Sequence, residues 1–496
     1  MGQKDLENQE VMSNHQFENQ LDEWIKDERL ALEFIQITGK LWFDKAVELI
    51  LFRRQLLDRG AHSILHKHSY AENTIGFKLR IEDSVLLANK IYETNIAPAR
   101  IDIGRLNKEW VEEGDNYKDA MAFIHDKLNH LIDVEPRSKK SQDIVLYGFG
   151  RIGRLAARQL IAEAGDGNRL RLRAIVTRRN NPEDFYKRVS LFRKDSVHGN
   201  FHGIAIEDID SQKMIVNGHH IHMITANNPE EVDYEKYGIN NALVIDSTGV
   251  WRDREGLSKH LEAKGVKQVL LTAPGKGDIP NIVYGVNQNS DEWNLKEEPV
   301  VSAASCTTNA IVPTLSAIEN EIGIENGHVE TIHSYTNDQN LLDNIHKKNR
   351  RGRAAPLNMV ITETGAAKAA AKAVPSLKGK LTANAVRIPT PNVSLAILTL
   401  DLKKPTTRQE INEFMRRVSL KGTLIEQIRY MTSSELVSSD VIGDSCASVY
   451  DSEATKVSNN GKKVVLYLWY DNEFGYTSQV IRLAKHISQV KSYRYY

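Results

Sequence analysis

Apolar positions along this chain change their spacing twice. Over the first 140 residues they recur at helical intervals. Trp42, Ala46, Leu49, Ile50 and Leu57 fall on one helical face, and Tyr117, Ala120, Met121, Ile124, Leu128 and Leu131 on another. A polar start precedes them. The charged, proline-marked stretch Glu135-Pro136-Arg137-Ser138-Lys139-Lys140 reads as a linker. Residues 1–140 are therefore expected to form a separate all-α domain.

At Asp143 short apolar runs take over. Ile144 to Tyr147, Leu170 to Val176, Ala242 to Asp246 and Gln268 to Thr272 suit buried parallel strands. Helical stretches lie between them. That alternation predicts a doubly wound α/β sheet. Beyond Cys306 the strands lengthen and alternate, as in Val393 to Leu400 and Lys463 to Trp469. They predict an α+β domain with a mixed or antiparallel sheet under helices.

Composition narrows the picture. The chain has 496 residues, with Lys+Arg and Asp+Glu at 65 each. No global charge invites nucleic acid, and no apolar run suits a membrane span. The N-terminus lacks a secretory pattern, and Leu6 sits where a myristoylation signal after Met1-Gly2 wants Ser or Thr. Only two cysteines occur, Cys306 and Cys446, which fits a reducing cytoplasm.

Three groups of residues can carry chemistry. Gly148-x-Gly150-x-x-Gly153 stands between a strand and a helix, where a dinucleotide pyrophosphate would rest; a merely tight turn is the alternative. After the next strand, Thr177-Arg178-Arg179-Asn180 replaces the acid that would bind a ribose hydroxyl. Those arginines suit a 2′-phosphate or are simply solvated. Cys306, in Ser305-Cys306-Thr307-Thr308-Asn309, stands at a strand-to-helix junction, so its thiol is expected to ionise more readily than a free one. His333, near a strand end, is its candidate base. Thr336, Asp338, Arg351, Arg353, Thr364, Gly365 and Arg387 follow within about 90 residues and could hold phosphate. Each alone is more simply a solvated charge or a cap.

Residues 142–490 closely resemble the phosphorylating glyceraldehyde-3-phosphate dehydrogenases. The resemblance rests on Gly148-Phe149-Gly150-Arg151-Ile152-Gly153-Arg154, Asp195-Ser196-Val197-His198-Gly199, Ser247-Thr248-Gly249-Val250 and Ser305-Cys306-Thr307-Thr308-Asn309. It continues in His333-Ser334-Tyr335-Thr336-Asn337-Asp338, Thr364-Gly365-Ala366-Ala367-Lys368, Arg387-Ile388-Pro389-Thr390-Pro391-Asn392-Val393-Ser394 and Trp469-Tyr470-Asp471-Asn472-Glu473-Phe474-Gly475-Tyr476. It implies a Rossmann cofactor domain at 141–305, a catalytic domain at 306–470, and a C-terminal helix within 471–496 that returns to the cofactor domain.

It further implies that Cys306 captures the aldehyde of glyceraldehyde 3-phosphate and His333 moves the protons, while inorganic phosphate releases the thioester. The implied cofactor set, for NADP or NAD, is Gly148, Gly150, Arg151, Ile152, Gly153, Thr177, Arg178, Arg179, Thr248, Gly249, Thr272, Asn472 and Tyr476. Thr336, Asp338 and Arg387 match positions for the substrate phosphate. Ser305, Thr307, Thr364 and Gly365 match the attacking phosphate, and Arg351 a further phosphate arginine. A homotetramer is the usual assembly.

Three departures stand out. The cofactor-selecting acid is absent, and Asn344-Ile345 replaces the Leu-Pro of NAD-selective members, which favours NADP or dual use. Ala310 stands where many members have a second cysteine. The first 140 residues lie outside the ordinary family. Within them His62, His66 and His68 have no Cys or acid at a metal-ligand spacing. The rival readings are an erythrose-4-phosphate dehydrogenase, which releases its thioester to water, and a regulatory protein built on an inactive dehydrogenase.

Overall fold

A computed structural model describes residues 14–52, 54–57, 59–135, 141–165, 169–490 and 493–496. The polar start up to residue 13 and linker residues 136–140 lie outside them. The chain divides into two units, residues 1–137 with 492–496, and residues 138–491. No helix among the described residues is long and apolar enough to cross a membrane.

The first unit holds the helices Asn14–Lys45, Ala61–Ile75, Ile81–Glu93, Ile103–Glu113 and Ala120–Lys127. It also holds a sheet, which corrects the all-α expectation. Its strands run in the order Arg54–Gln55, Glu48–Leu51, Ala99–Asp102, Tyr493–Tyr495. Glu48–Leu51 is buried throughout and pairs in parallel with Ala99–Asp102. Four buried residues give no two-residue alternation, so Leu49 and Ile50 continued the helical spacing of the sequence without continuing the helix. The helix ends at Lys45, and Ala46 turns the chain at φ 52°. Asp102 starts the next helix by accepting bonds from Gly104 N at 3.0 Å and Arg105 N at 3.3 Å. Phe34, Leu41, Leu87 and Phe123 fill the core between helices and sheet.

The second unit is built on two eight-stranded sheets. In one, Val300–Ser302, Val266–Leu271, Ala242–Asp246, Gln142–Tyr147, Leu170–Thr177 and His219–Thr225 lie side by side and parallel. Lys213–Val216 and Ala205–Asp208 extend it antiparallel. The strand order reverses between Gln142–Tyr147 and Ala242–Asp246, so a crevice opens at the carboxyl ends of the central strands. The other sheet is mixed. Its path runs Val360–Thr362, Leu381–Ile388, Ile324–Ser334, Ser394–Leu402, Lys463–Tyr470, Ser448–Asp451, Ile428–Met431. Ser394–Leu402 alternates buried and half-buried positions, presenting Ala396, Leu398 and Leu400 to the helix Cys306–Glu321. The helix Phe474–Ile487 packs against Arg151–Ala162 of the parallel-sheet layer.

Candidate active site

The chain before Cys306 is fixed bond by bond. Ser302 Oγ donates to the Ala273 carbonyl at 2.7 Å and accepts from Ala304 N at 3.0 Å. Ala304 sits at φ 56°, a left-handed conformation costly for a residue with a Cβ, and the Tyr476 hydroxyl holds its carbonyl at 3.0 Å. Ser305 caps the helix, its Oγ accepting from Thr308 N at 3.1 Å. Asn309 Nδ2 ties the Ala303 and Ser305 carbonyls at 2.8 and 2.9 Å. The helix therefore opens with Cys306 itself, a partly buried free thiol.

Sheet register supplies the partners. Ile324–Ser334 and Leu381–Ile388 run parallel, with His333 opposite Arg387. His333 Nε2 lies 3.6 Å from Cys306 Sγ. Its Nδ1 lies 2.7 Å from the Ser334 carbonyl and 2.6 Å from Arg387 Nη1, which also donates to that carbonyl at 2.8 Å. Nδ1 can either accept from Arg387, which leaves the ring proton on Nε2, or carry the proton and donate to Ser334, with Arg387 then bonding only that carbonyl; the second tautomer turns the Nε2 lone pair toward the thiol. Tyr470 meets the ring edge-on at 6.0 Å between centroids. The Tyr470 hydroxyl joins Thr307 Oγ1 at 3.0 Å and Thr331 Oγ1 at 2.7 Å.

Electrostatics corrects one expectation. Burial pushes the Cys306 thiol up, and outweighs the pull of Arg387, the Thr307 hydroxyl and the N–H groups of Thr307 and Cys306. Helix-start amides alone, as read from the sequence, omit that desolvation. Burial, then the nearby Arg387 charge, pushes His333 down to about 3. Both shifts favour the neutral forms, thiol and imidazole.

The expected phosphate residues divide. Arg387 and Arg351 both act electrostatically on His333, so they belong to one field. Asp338 pairs with Arg351. A carboxylate accepts but cannot donate, so this one holds the arginine and cannot itself bind phosphate oxygen. Ser305 and Thr307 flank the thiol. Thr364 Oγ1 accepts from Ala366 N at 3.2 Å at the head of the helix Ala366–Ala373, which packs on Cys306–Glu321. Gly365 is exposed beside it, and Thr336 is half-buried two residues beyond Ser334.

The expected cofactor residues gather at the carboxyl ends of the parallel strands. Gly148 has φ +100°, and a Cβ there would lie 3.0 Å from Ser247 Oγ. A Cβ on Gly153 would lie 2.4 Å from the Gly148 carbonyl, whereas one on Gly150 would meet open space. This is the cradle a pyrophosphate needs: two glycines close the turn and the third leaves its outer side open at the head of the helix Arg151–Ala162. A nicotinamide dinucleotide therefore fits. Ile152 lies in the first turn of that helix. The Arg151 side chain is committed elsewhere, to Asp195 and Glu473. Thr177 ends its strand, and Arg178 and Arg179 after it are exposed. Thr248 is anchored to Asp246, Gly249 has φ +65°, and Thr272 N donates to the Asp246 carbonyl at 2.9 Å. From the other sheet, Ser394 Oγ donates to Asn472 Oδ1 at 3.0 Å, which turns the Asn472 amide.

Several contributors escaped the sequence. Tyr470 lay inside the matched stretch but carried no signal of its bonds to Thr307 and Thr331. Val393, at φ 65°, is strained for a β-branched residue, and its carbonyl accepts from Ser334 Oγ at 2.6 Å. Neither Ala304 nor Val393 looks unusual as a letter in a sequence.

Comparison with known proteins agrees with this geometry. Residues 142–254 match the family model "Glyceraldehyde 3-phosphate dehydrogenase, NAD binding domain", and residues 305–472 match its C-terminal domain. The chain is 47% identical over 459 residues to the glyceraldehyde-3-phosphate dehydrogenase-like protein of Pseudomonas aeruginosa (strain UCBPP-PA14), covering 92% of this chain and 98% of the relative. It is 38% identical over 346 residues to glyceraldehyde-3-phosphate dehydrogenase 2 of Nostoc sp. (strain PCC 7120), covering 70% of this chain and 98% of the relative. It is 40% identical over 341 residues to chloroplastic glyceraldehyde-3-phosphate dehydrogenase A of Zea mays, covering 69% of this chain and 81% of the relative. The Pseudomonas match is too long for the dehydrogenase body alone and extends into the first unit. Nucleophile, imidazole, glycine cradle and matched models agree: the chain belongs to the glyceraldehyde-3-phosphate dehydrogenase family of nicotinamide-dependent oxidoreductases.

Proposed function

We propose that this chain oxidises D-glyceraldehyde 3-phosphate with phosphate uptake, giving 1,3-bisphosphoglycerate, and that it runs the reverse reaction with the same groups. The 3.6 Å approach of His333 Nε2 to Cys306 Sγ, with Arg387 beside both, carries this reading. Nε2 takes the thiol proton as Sγ adds to the aldehyde carbon, and returns it to the oxygen to give a thiohemiacetal. It takes that proton again as the carbon is oxidised to a thioester. Bound nicotinamide supplies the two-electron acceptor. A phosphate oxygen then attacks the thioester carbon, and Sγ leaves as the thiolate. The thiolate at that moment faces Arg387, the Thr307 hydroxyl and the helix-start amides.

In this reading Arg387 and Thr336 hold the substrate phosphate. Ser305, Thr307, Thr364 and Gly365 receive the attacking phosphate, and Arg351, held by Asp338, adds positive charge. Asn472 holds the nicotinamide carboxamide, and the glycine cradle holds the pyrophosphate. NADP is used, alone or beside NAD, because Arg178 and Arg179 are exposed where a 2′-phosphate would come. A homotetramer is supported by Leu341, Leu342, Leu357, Met359 and the 96% exposed Ile345, apolar groups left in water on one loop. Two free thiols support a cytoplasmic setting.

Steady-state oxidation of glyceraldehyde 3-phosphate and of erythrose 4-phosphate, each with and without phosphate, tests the reading. Turnover of the three-carbon aldehyde that requires phosphate is expected, with loss in Cys306→Ala. Faster phosphate-independent turnover of the four-carbon aldehyde would overturn it, as would an equally active Cys306→Ala chain.

A further inference from the structure

The helix Asn14–Lys45 of the first unit carries two apolar faces. Ala31, Phe34, Ile37 and Leu41 lie on one and are buried in the core of that unit. The other faces water. Leu21, Ile25, Leu32 and Phe43 are exposed on it, Leu32 by 58%, and Ile35 is half-buried. Single apolar groups on a surface need no explanation, but a continuous stripe does. Leu21, Ile25, Glu28, Leu32, Ile35 and Gly39 follow at alternating intervals of four and three residues. That is the spacing of a coiled-coil seam. A Cβ on Gly39 would meet nothing within 4 Å, so the seam is open at that end too.

The seam reads alike from both ends. Positions 21 and 39, 25 and 35, and 28 and 32 each lie equally far from residue 30. A second copy laid antiparallel therefore stacks in matched layers. Leu21 of one copy fills the space over Gly39 of the other, Ile25 meets Ile35, and Leu32 meets the stem of Glu28. A two-fold interface needs this kind of self-complementarity. Charge selects the same direction. The helix carries Glu18, Asp22 and Glu23 in its first third, and Lys40, Asp44 and Lys45 in its last. Antiparallel copies bring Asp22 near Lys40, whereas parallel copies would set each against its like. Arg29 stands beside the middle of the seam, next to Glu28 of the opposite copy, the one acid in it.

We propose that the helix Asn14–Lys45 pairs antiparallel with the same helix of a second copy of this chain, through the seam from Leu21 to Gly39. The first unit is then an assembly module, with its two-fold axis passing by residue 30.

Oxidative cross-linking of the full chain tests this. Leu21→Cys combined with Gly39→Cys places two thiols about 27 Å apart along one helix, beyond disulfide reach within a chain. Across the proposed pair the same thiols are neighbours. Position 21 is exposed and position 39 has open space for the new side chain, so neither change disturbs the core. Mild oxidation at micromolar protein should convert most of this variant to covalent dimer on a non-reducing gel. The parent chain, with Cys306 and Cys446 alone, sets the background. Each single variant should stay at that background. So should Leu21→Cys with Leu32→Cys, whose thiols fall about 10 Å out of register between copies. Adding Leu32→Glu to the matched variant should slow its cross-linking about tenfold or more, because an unpaired carboxylate enters the seam. No covalent dimer from the matched variant overturns the proposal, whether the face stays in water or something other than this chain covers it. Equal rates in matched, single and displaced variants overturn it as well.

Discussion

His198 Nε2 lies 3.0 Å from Asp471 Oδ2, joining the loop after the helix Pro182–Arg193 to the end of the strand Lys463–Tyr470. Asp471 also accepts from Asn392 Nδ2 at 2.9 Å, Gly443 N at 2.8 Å, Glu473 N at 2.9 Å and Phe474 N at 2.8 Å. Burial alone would raise its pKa, but these donors hold the carboxyl below its ordinary value. Asn472 is the next residue, so the network sets the direction in which its amide leaves the backbone. His198→Ala should cost about 1–3 kcal/mol of stability, because a buried carboxylate loses a donor. It should also weaken nicotinamide binding several-fold. Chemical unfolding with a fluorescence titration of reduced cofactor measures both. Unchanged values in both would remove the network from any positioning role.

The glycine cradle separates folding from binding. A Cβ at Gly153 would press within 2.4 Å of the Gly148 carbonyl, a backbone atom with no freedom to move aside. Gly153→Ala is expected to lose both stability and cofactor binding. Gly150→Ala adds its methyl to open space, so unfolding should move by less than about 1 kcal/mol. That methyl would occupy the side where a pyrophosphate comes closest, so binding should drop at least tenfold. Full binding in Gly150→Ala would show that the dinucleotide lies elsewhere.

Thiol reactivity has a definite pH sign. The Cys306 pKa is raised above its ordinary value by burial, so the thiolate is the minor form at neutral pH. Alkylation by iodoacetamide in the absence of substrate should therefore climb about tenfold per pH unit from pH 6 through 8. Arg387→Ala should slow it further at each pH, since the largest favourable charge is removed. A plateau already present at pH 6 would instead reveal a stable thiolate–imidazolium pair.

The arginines after Leu170–Thr177 test cofactor choice. Both Arg178 and Arg179 are exposed, and neither replaces a core contact. Arg178→Ala or Arg179→Ala should raise the KM for NADP several-fold while leaving that for NAD almost unchanged. Equal losses for the two cofactors would dispose of the 2′-phosphate explanation.

Legibility in the sequence followed the range of the interactions. Four strands of the parallel sheet announced themselves as apolar runs, because both faces of such a sheet are covered, whereas His219–Thr225, with its three histidines, did not. Glu48–Leu51 and Ala99–Asp102 did not, being four residues each with almost no exposed position to mark alternation. Tyr493–Tyr495 was still less visible. It pairs with Ala99–Asp102 across nearly the whole chain, and no local pattern reports a partner so distant. In the active site, Cys306 and His333 could be named from their neighbours, but their contact depends on sheet register. The His198–Asp471 bond spans 273 residues and was not anticipated at all. The thiol's electrostatics misled for a related reason: the helix start is local, whereas desolvation is summed over packing that only the fold provides.

The first unit should lose stability in mild acid through one imidazole. His68 Nδ1 lies 2.9 Å from the Ile64 carbonyl, and Nε2 lies 2.9 Å from Ser84 Oγ. Asn107 Nδ2 donates to that hydroxyl at 2.8 Å, which leaves the Ser84 proton to bond Nε2. The ring is thus used as a neutral donor and acceptor, with no lone pair left for a metal. Burial pushes its pKa down to about 4. Below the ordinary value near 6.5 the unfolded chain takes up a proton that the folded unit refuses. Stability is therefore full above about pH 6.5 and falls as pH approaches 4, by on the order of 3 kcal/mol. His68→Gln should flatten this fall while lowering stability at neutral pH, since its amide cannot reproduce both bonds. Urea unfolding of the first unit's helices between pH 4 and 7, followed by hydrogen exchange at residues 64–68, measures the slope. An unchanged slope in His68→Gln would place the acid-sensitive group elsewhere.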